Sequence, residues 1–290
     1  MSSASMMLIF KYFERFKVDT FYAIVVNYLV CVLVALFFIP SFSLDAQASW
    51  GFLPLGFLLG TMFISLFFLI GITTQKMGVS VATVSMKLGY VLPIILAFTI
   101  YSETISGFKI AGIVLTIFAV IFTSIKKVDN ELTKGVNTLL FPFIIFIGSG
   151  VADSIVQYTE KTYFKQGGFE MFNLILFGTA FLIGLGIAIF RDFKNGYTLF
   201  NQQNIVAGII LGVPNYFSIY FMFKALNHPT FESSIVFPVN NIGIVVSSTL
   251  LAFIIFKEKL SFLNHLGLFL AVLSIALMTP KITDFLMSLF

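Results

Sequence analysis

The chain is written as a succession of continuous apolar runs, each about 20 residues long and separated by short polar breaks. That run length is what an α-helix needs to cross the hydrocarbon core of a bilayer. A membrane β-barrel would instead show alternating segments of about ten residues. These runs do not alternate, so they predict helices. The bulk chemistry agrees: 59% of the residues are hydrophobic and only 10% are charged, against roughly a quarter charged in a soluble domain. Phe alone supplies 38 of 290 residues. Such a chain cannot build a water-facing surface, and lipid must act as its solvent.

Gly, Pro and charged punctuation divide the chain into ten predicted spans. They run over about 1–14, 20–40, 50–74, 79–101 and 106–125, then 136–160, 169–190, 203–226, 232–256 and 262–279. The polar stretch 126–135, beginning Lys126-Lys127-Val128-Asp129-Asn130-Glu131, separates a first five-span unit (1–125) from a second (136–280).

The two units resemble each other. Ala97, Phe98, Ile100, Glu103, Ser106, Gly112 and Leu115 fall on Ala252, Phe253, Ile255, Glu258, Ser261, Gly267 and Leu270. Gly56–Gly60 in the third span matches Gly208–Gly212 in the eighth, both GxxxG. Tyr12-Phe13-Glu14-Arg15 matches Tyr158-Thr159-Glu160-Lys161, and Phe16-Lys17 matches Phe164-Lys165. An odd number of spans per unit forces the second unit to enter from the opposite side. The expected fold is therefore all-α, with ten transmembrane helices arranged as two inverted five-helix repeats. Inverted repeats are a transporter architecture, with the solute site near the midplane between the halves. The comparison also shows the first helix lacking its opening turns: either the true N-terminus lies upstream of Met1, the reading favoured here, or the helix is short. A segment of about 14 residues reaches only ~21 Å of a ~30 Å core.

Several function classes are disfavoured. The net charge of +4 is scattered over short loops rather than gathered into a basic block, so no nucleic-acid partner is expected. Cys31 stands alone, and His228 and His265 are the only histidines. No metal site, no other cofactor and no catalytic constellation is expected. The N-terminus shows no basic region followed by an A-x-A site, so no cleavable signal peptide is read there. Lys and Arg gather beside the odd-numbered connections, which by the positive-inside rule puts both termini outside.

Polar residues deep in a span need a partner or a cavity. Lys87 lies ~12 Å into the fourth span. A Lys at mid-bilayer costs roughly 2.5–3.5 kcal/mol on insertion scales. It either draws an anionic group of a solute or pairs with Asp153. Thr83, Lys87 and Tyr90 share one helical face, and so do Asp153, Gln157 and Glu160. Asp153 either binds a proton or cationic solute or neutralises Lys87. Asn215-Tyr216 follows Pro214, and Asn240-Asn241 lies just after Pro238. Each Pro frees a carbonyl that a nearby Asn can bond. Asn27 stands alone on an apolar background. The substrate-binding candidates are thus Asn27, Lys87, Tyr90, Asp153, Gln157, Asn215, Tyr216, Asn240 and Asn241. Glu103 and Glu258 read as caps and membrane-edge anchors.

Two five-span units, each ending in a long apolar helix, Glu-x-[Ile/Leu]-Ser and a helix with an early Gly, resemble the EamA family of the drug/metabolite transporter superfamily. The residues are Tyr101-Ser102-Glu103-Thr104-Ile105-Ser106 with Gly112, and Phe256-Lys257-Glu258-Lys259-Leu260-Ser261 with Gly267. The resemblance implies export or exchange of small metabolites or drugs across the inner membrane, without ATP hydrolysis. It also implies cytoplasmic termini, against the Lys and Arg distribution. The absence of GxxxxGK[ST] agrees with the lack of ATP hydrolysis. The expectation is a secondary transporter of a small-molecule solute in the lipid bilayer, not an enzyme. A non-transporting receptor or assembly subunit is the alternative, but no soluble domain accompanies these spans.

Overall fold

The computed structural model describes residues 2–38, 50–101, 107–124, 139–163, 169–195, 201–226, 233–257 and 260–279. Glu103, Glu258 and the 126–135 linker lie outside the described residues. Among those described there are eleven α-helices, one 3-10 turn at Trp50–Phe52 and no strand. In chain order the helices are α1 (Ser2–Arg15), α2 (Thr20–Phe38), α3 (Leu53–Met77), α4 (Val79–Leu88), α5 (Val91–Tyr101) and α6 (Gly107–Ser124). They continue with α7 (Leu140–Tyr163), α8 (Phe169–Asn195), α9 (Gln202–Leu226), α10 (Ser233–Phe256) and α11 (Phe262–Leu277).

Six segments are long and apolar enough to cross a membrane: Thr20–Phe38, Leu53–Met77, Val79–Leu96, Leu140–Glu160, Phe169–Lys194 and Gln202–Met222. This suits a multi-pass membrane protein. Gly107–Thr123, Asn240–Phe256 and Phe262–Leu277 are apolar but shorter. The outer surface carries large apolar side chains such as Phe37, Leu182, Phe193 and Phe262. In water such a surface would drive association; in lipid it is matched to its solvent.

The predicted fourth span, 79–101, is not one helix. It breaks at Gly89-Tyr90 into α4 and α5. The cause is local. Pro93 has no N–H to return to the Gly89 carbonyl, and its ring crowds that carbonyl. Leu92 N–H takes the bond instead at 2.9 Å, as a tight i→i+3 turn. Packing fixes the same place: a Cβ on Gly89 would lie 2.7 Å from the Phe146 carbonyl oxygen and 2.8 Å from the Gly150 nitrogen of α7.

Glycine sets the other close crossings. A Cβ on Gly60 of α3 would meet the Leu176 carbonyl oxygen of α8 at 2.6 Å. One on Gly208 of α9 would meet the Ala23 carbonyl oxygen of α2 at 2.7 Å, and one on Gly212 the Asn27 carbonyl oxygen at 2.9 Å. Both GxxxG motifs are therefore contact faces, α3 on α8 and α9 on α2. The antiparallel pair α6–α11 is built likewise, with Gly112 against Ser274 and Met278, and Gly267 against Ala119 and Thr123. Asn264 pins that pair. Its Nδ2 donates to the Phe122 and Thr123 carbonyls, both at 3.0 Å, while its Oδ1 accepts from Ser261 N–H at 3.0 Å. Ser261 Oγ accepts from Asn264 N–H at 3.2 Å, completing a capping box for α11.

Candidate functional site

A cavity of about 200 Å³ lies among α1, α2, α3, α4, α7, α8, α9 and α10. Its wall is mostly apolar, from Met6, Tyr28, Phe63, Phe67, Met86, Phe172 and neighbours. Against that wall stand a few polar groups: Ser3, Lys87, Ser149, Asp153, Asn173, Asn215, Ser218, Asn240 and Asn241. This mixture is typical of a small-molecule site.

Lys87 reaches the cavity from the last turn of α4. A cation suits that helix end, where unpaired carbonyls gather and the dipole is negative. Asp153 enters from α7, close enough for the two charges to act on each other. Among the described residues neither side chain forms an ion pair or a hydrogen bond. Both are half-buried, and both border the cavity. Of the two partners the sequence offers Lys87, Asp153 faces it across the same cavity.

Asn215 lines the cavity from α9 and donates from Nδ2 to Asn27 Oδ1 on α2 at 3.1 Å. It does not bond the carbonyl freed by Pro214. Asn27 is fully buried away from the cavity, its own Nδ2 turned to the Ile24 carbonyl at 3.5 Å. Asn240 and Asn241 both border the cavity from α10; the side chains of 233–239, with Pro238, lie outside the described residues.

Four candidates do not line the cavity. Besides Asn27, Tyr90 is buried beyond the break after α4, because the tight turn there takes it off the face it would share with Lys87 on a straight helix. Gln157 is partly buried one turn past Asp153. Tyr216 is fully buried in an aromatic cluster, stacked on Tyr220 at 6.1 Å and Phe38 at 5.9 Å. Thr83, the third member of the Lys87 face, is buried with its hydroxyl unpartnered among the described residues.

Sequence reasoning missed Ser3, Ser149, Asn173 and Ser218. Ser149 Oγ is spent on the Ile145 carbonyl of its own helix, and Ser3 and Ser218 hydrogen-bond to each other across α1 and α9. Asn173 was findable. It is a lone amide in Met171-Phe172-Asn173-Leu174-Ile175, the same signal that singles out Asn27.

A polar cluster lies where α2 begins and α8 ends. Asp19 caps α2, its Oδ1 accepting from Phe21 N–H at 2.9 Å and Tyr22 N–H at 3.3 Å. Its Oδ2 pairs with Arg191 of α8 at 3.4 Å, and its N–H donates to Asn204 Oδ1 of α9 at 3.0 Å. Arg191 also stands 5.1 Å from the ring centres of Phe21 and Tyr22, and Tyr22 donates to Asp192. On the same side Lys11 of α1 donates to the Gln75 carbonyl of α3 at 2.7 Å.

No family model matches the chain. A protein of Haemophilus influenzae (strain Rd), described as an uncharacterized protein, is 27% identical over 258 residues, covering 87% of this chain and 86% of its own length. A solved crystal structure, at 14% identity, superposes with a TM-score of 0.60 and covers 97% of this chain and 98% of that one. At that identity the likeness speaks to the fold alone.

Proposed function

We propose that this protein is a secondary transporter of a small metabolite or drug-like solute, resembling the EamA family and working by alternating access across the cytoplasmic membrane. The observation that carries the reading is the meeting of Lys87 from the first half with Asp153, Asn215, Asn240 and Asn241 from the second around one cavity. Charged side chains are retained inside a membrane protein where they serve a pathway. Lys87 suits a carboxylate or phosphate on the solute.

The helix pairings support two inverted five-helix repeats. The second helix of each half packs on the third of the other, α2 on α9 and α8 on α3. The fifth helices, α6 and α11, pack on each other through equivalent glycines, Gly112 and Gly267. The first helix of each half packs on the fourth of the other: α1 on α10, and α7 on α4 and α5. Such reciprocity is what a two-fold axis in the membrane plane produces. A broken helix ending at the cavity, as α4 does with Lys87, is a further feature of transporter sites.

The test is counterflow in proteoliposomes loaded with small carboxylates and phosphates in turn. A secondary transporter accelerates exchange of at least one class without ATP, and Lys87→Ala abolishes it. Unchanged exchange in Lys87→Ala removes Lys87 from the site. No exchange of any class in the unaltered protein removes the transporter reading.

A further inference from the structure

Asn173 is the most demanding polar group in the cavity wall. It sits in the second turn of α8, is 1% exposed and borders the cavity. Neither its Nδ2 nor its Oδ1 has a hydrogen-bond partner among the described residues. A buried amide left unmade on both sides is costly, and native structures rarely keep one without a use. The other cavity amide whose bond is seen, Asn215, is already held by Asn27. Asn173 has no such anchor.

A carboxamide offers one donor and one acceptor side by side in a plane. It is satisfied in one step by a group that offers an acceptor and a donor in the same plane. The rest of the occupant is set by Lys87 and Asp153, which present a positive and a negative charge to the same space without closing on each other. We propose that Asn173 is a specificity-determining residue that reads a paired donor–acceptor edge of carboxamide type on a zwitterionic solute. The proposal rests on the reading of this cavity as the solute site.

The probes are L-glutamine and L-methionine, zwitterions of similar length that differ in whether they carry a carboxamide. Binding of each radiolabelled probe to the full chain in nanodiscs is measured at equilibrium, beside the thermal midpoint of each variant. The unaltered protein is expected to bind L-glutamine at least about tenfold more tightly than L-methionine, the scale of one to two buried hydrogen bonds. Asn173→Leu is expected to erase that preference, by weakening L-glutamine about tenfold more than L-methionine, and to raise the thermal midpoint, because it removes an unsatisfied amide. Asn173→Asp keeps the shape but loses the amide donor, and is expected to weaken L-glutamine alone. Equal binding of the two probes by the unaltered protein, binding of neither, an unchanged preference in Asn173→Leu, or loss of both probes together in that variant each overturns the proposal. Binding is read here without translocation, so this measurement can fail while counterflow succeeds, and the reverse.

Discussion

Asn215 Nδ2 lies 3.1 Å from Asn27 Oδ1, so one buried amide on α9 is held by another on α2. The bond crosses the close α2–α9 contact, beside Gly212. Asn27 therefore acts through Asn215, which alone of the two borders the cavity.

Removing the supporting amide tests that relationship. Asn27→Leu and Asn215→Leu should each lower the thermal midpoint, and a double-mutant cycle should give a coupling of about 1 kcal/mol, within the range of interhelical bonds in membranes. If Asn27→Leu leaves solute affinity untouched, Asn215 does not depend on its partner for orientation.

Glycine contacts predict opposite outcomes for one substitution at two places. Gly60→Ala drives a methyl to 2.6 Å from both the Leu176 carbonyl oxygen and Thr179 Cβ, and should destabilise by about 2 kcal/mol or more. Gly186→Ala on α8 meets nothing within 4 Å. It should be neutral or stabilise by up to about 1 kcal/mol through helix propensity. Denaturation of both variants in the same detergent decides the sign.

Asp19 holds a cap and an ion pair at once, and substitutions separate them. Asp19→Asn keeps an oxygen for Phe21 and Tyr22 N–H but loses the charge facing Arg191. Since that pair is about one-third exposed, the change should cost less than about 1 kcal/mol. Asp19→Ala loses the cap as well and should cost roughly 1 kcal/mol more. Equal midpoints for the two variants would refute the cap.

Pro93→Ala restores an N–H able to reach the Gly89 carbonyl. Glycine packing against α7 still holds the turn, so the variant should fold. The amides of residues 89–93 should exchange with deuterium more slowly, and solute affinity should fall as Lys87 is turned from the cavity. Unaltered exchange would assign the break to packing alone.

Much of the architecture was legible because bilayer thickness converts directly into run length. Span boundaries from Gly, Pro and charge fall within a few residues of α2, α3 and α7–α11. The break in the fourth span was hidden because Pro93 sits early in what reads as a continuous apolar run. Knowing that it would part the helix required knowing that Gly150 of α7 is pressed against Gly89. Depth and polarity singled out Lys87, Asp153, Asn215, Asn240 and Asn241, which border the cavity. They singled out Asn27 and Tyr216 equally, which do not border it, because polarity cannot tell a group that faces a cavity from one that braces its neighbour. Asn173 was passed over beside more conspicuous charges. What marks it is the absence of a partner, and that is visible only in three dimensions.

The glycine crossings carry a mechanical consequence. Where α3 meets α8 and α2 meets α9, glycine lets one helix come up against a backbone carbonyl of the other. In the proposed transporter such a joint would serve as a bearing, along which one helix rolls or slides on the other. The helices of both joints also line the cavity, α2 through Tyr28. A bulky residue at Gly60 or Gly208 would therefore act as a wedge, holding the molecule in one posture while its polar wall stayed complete.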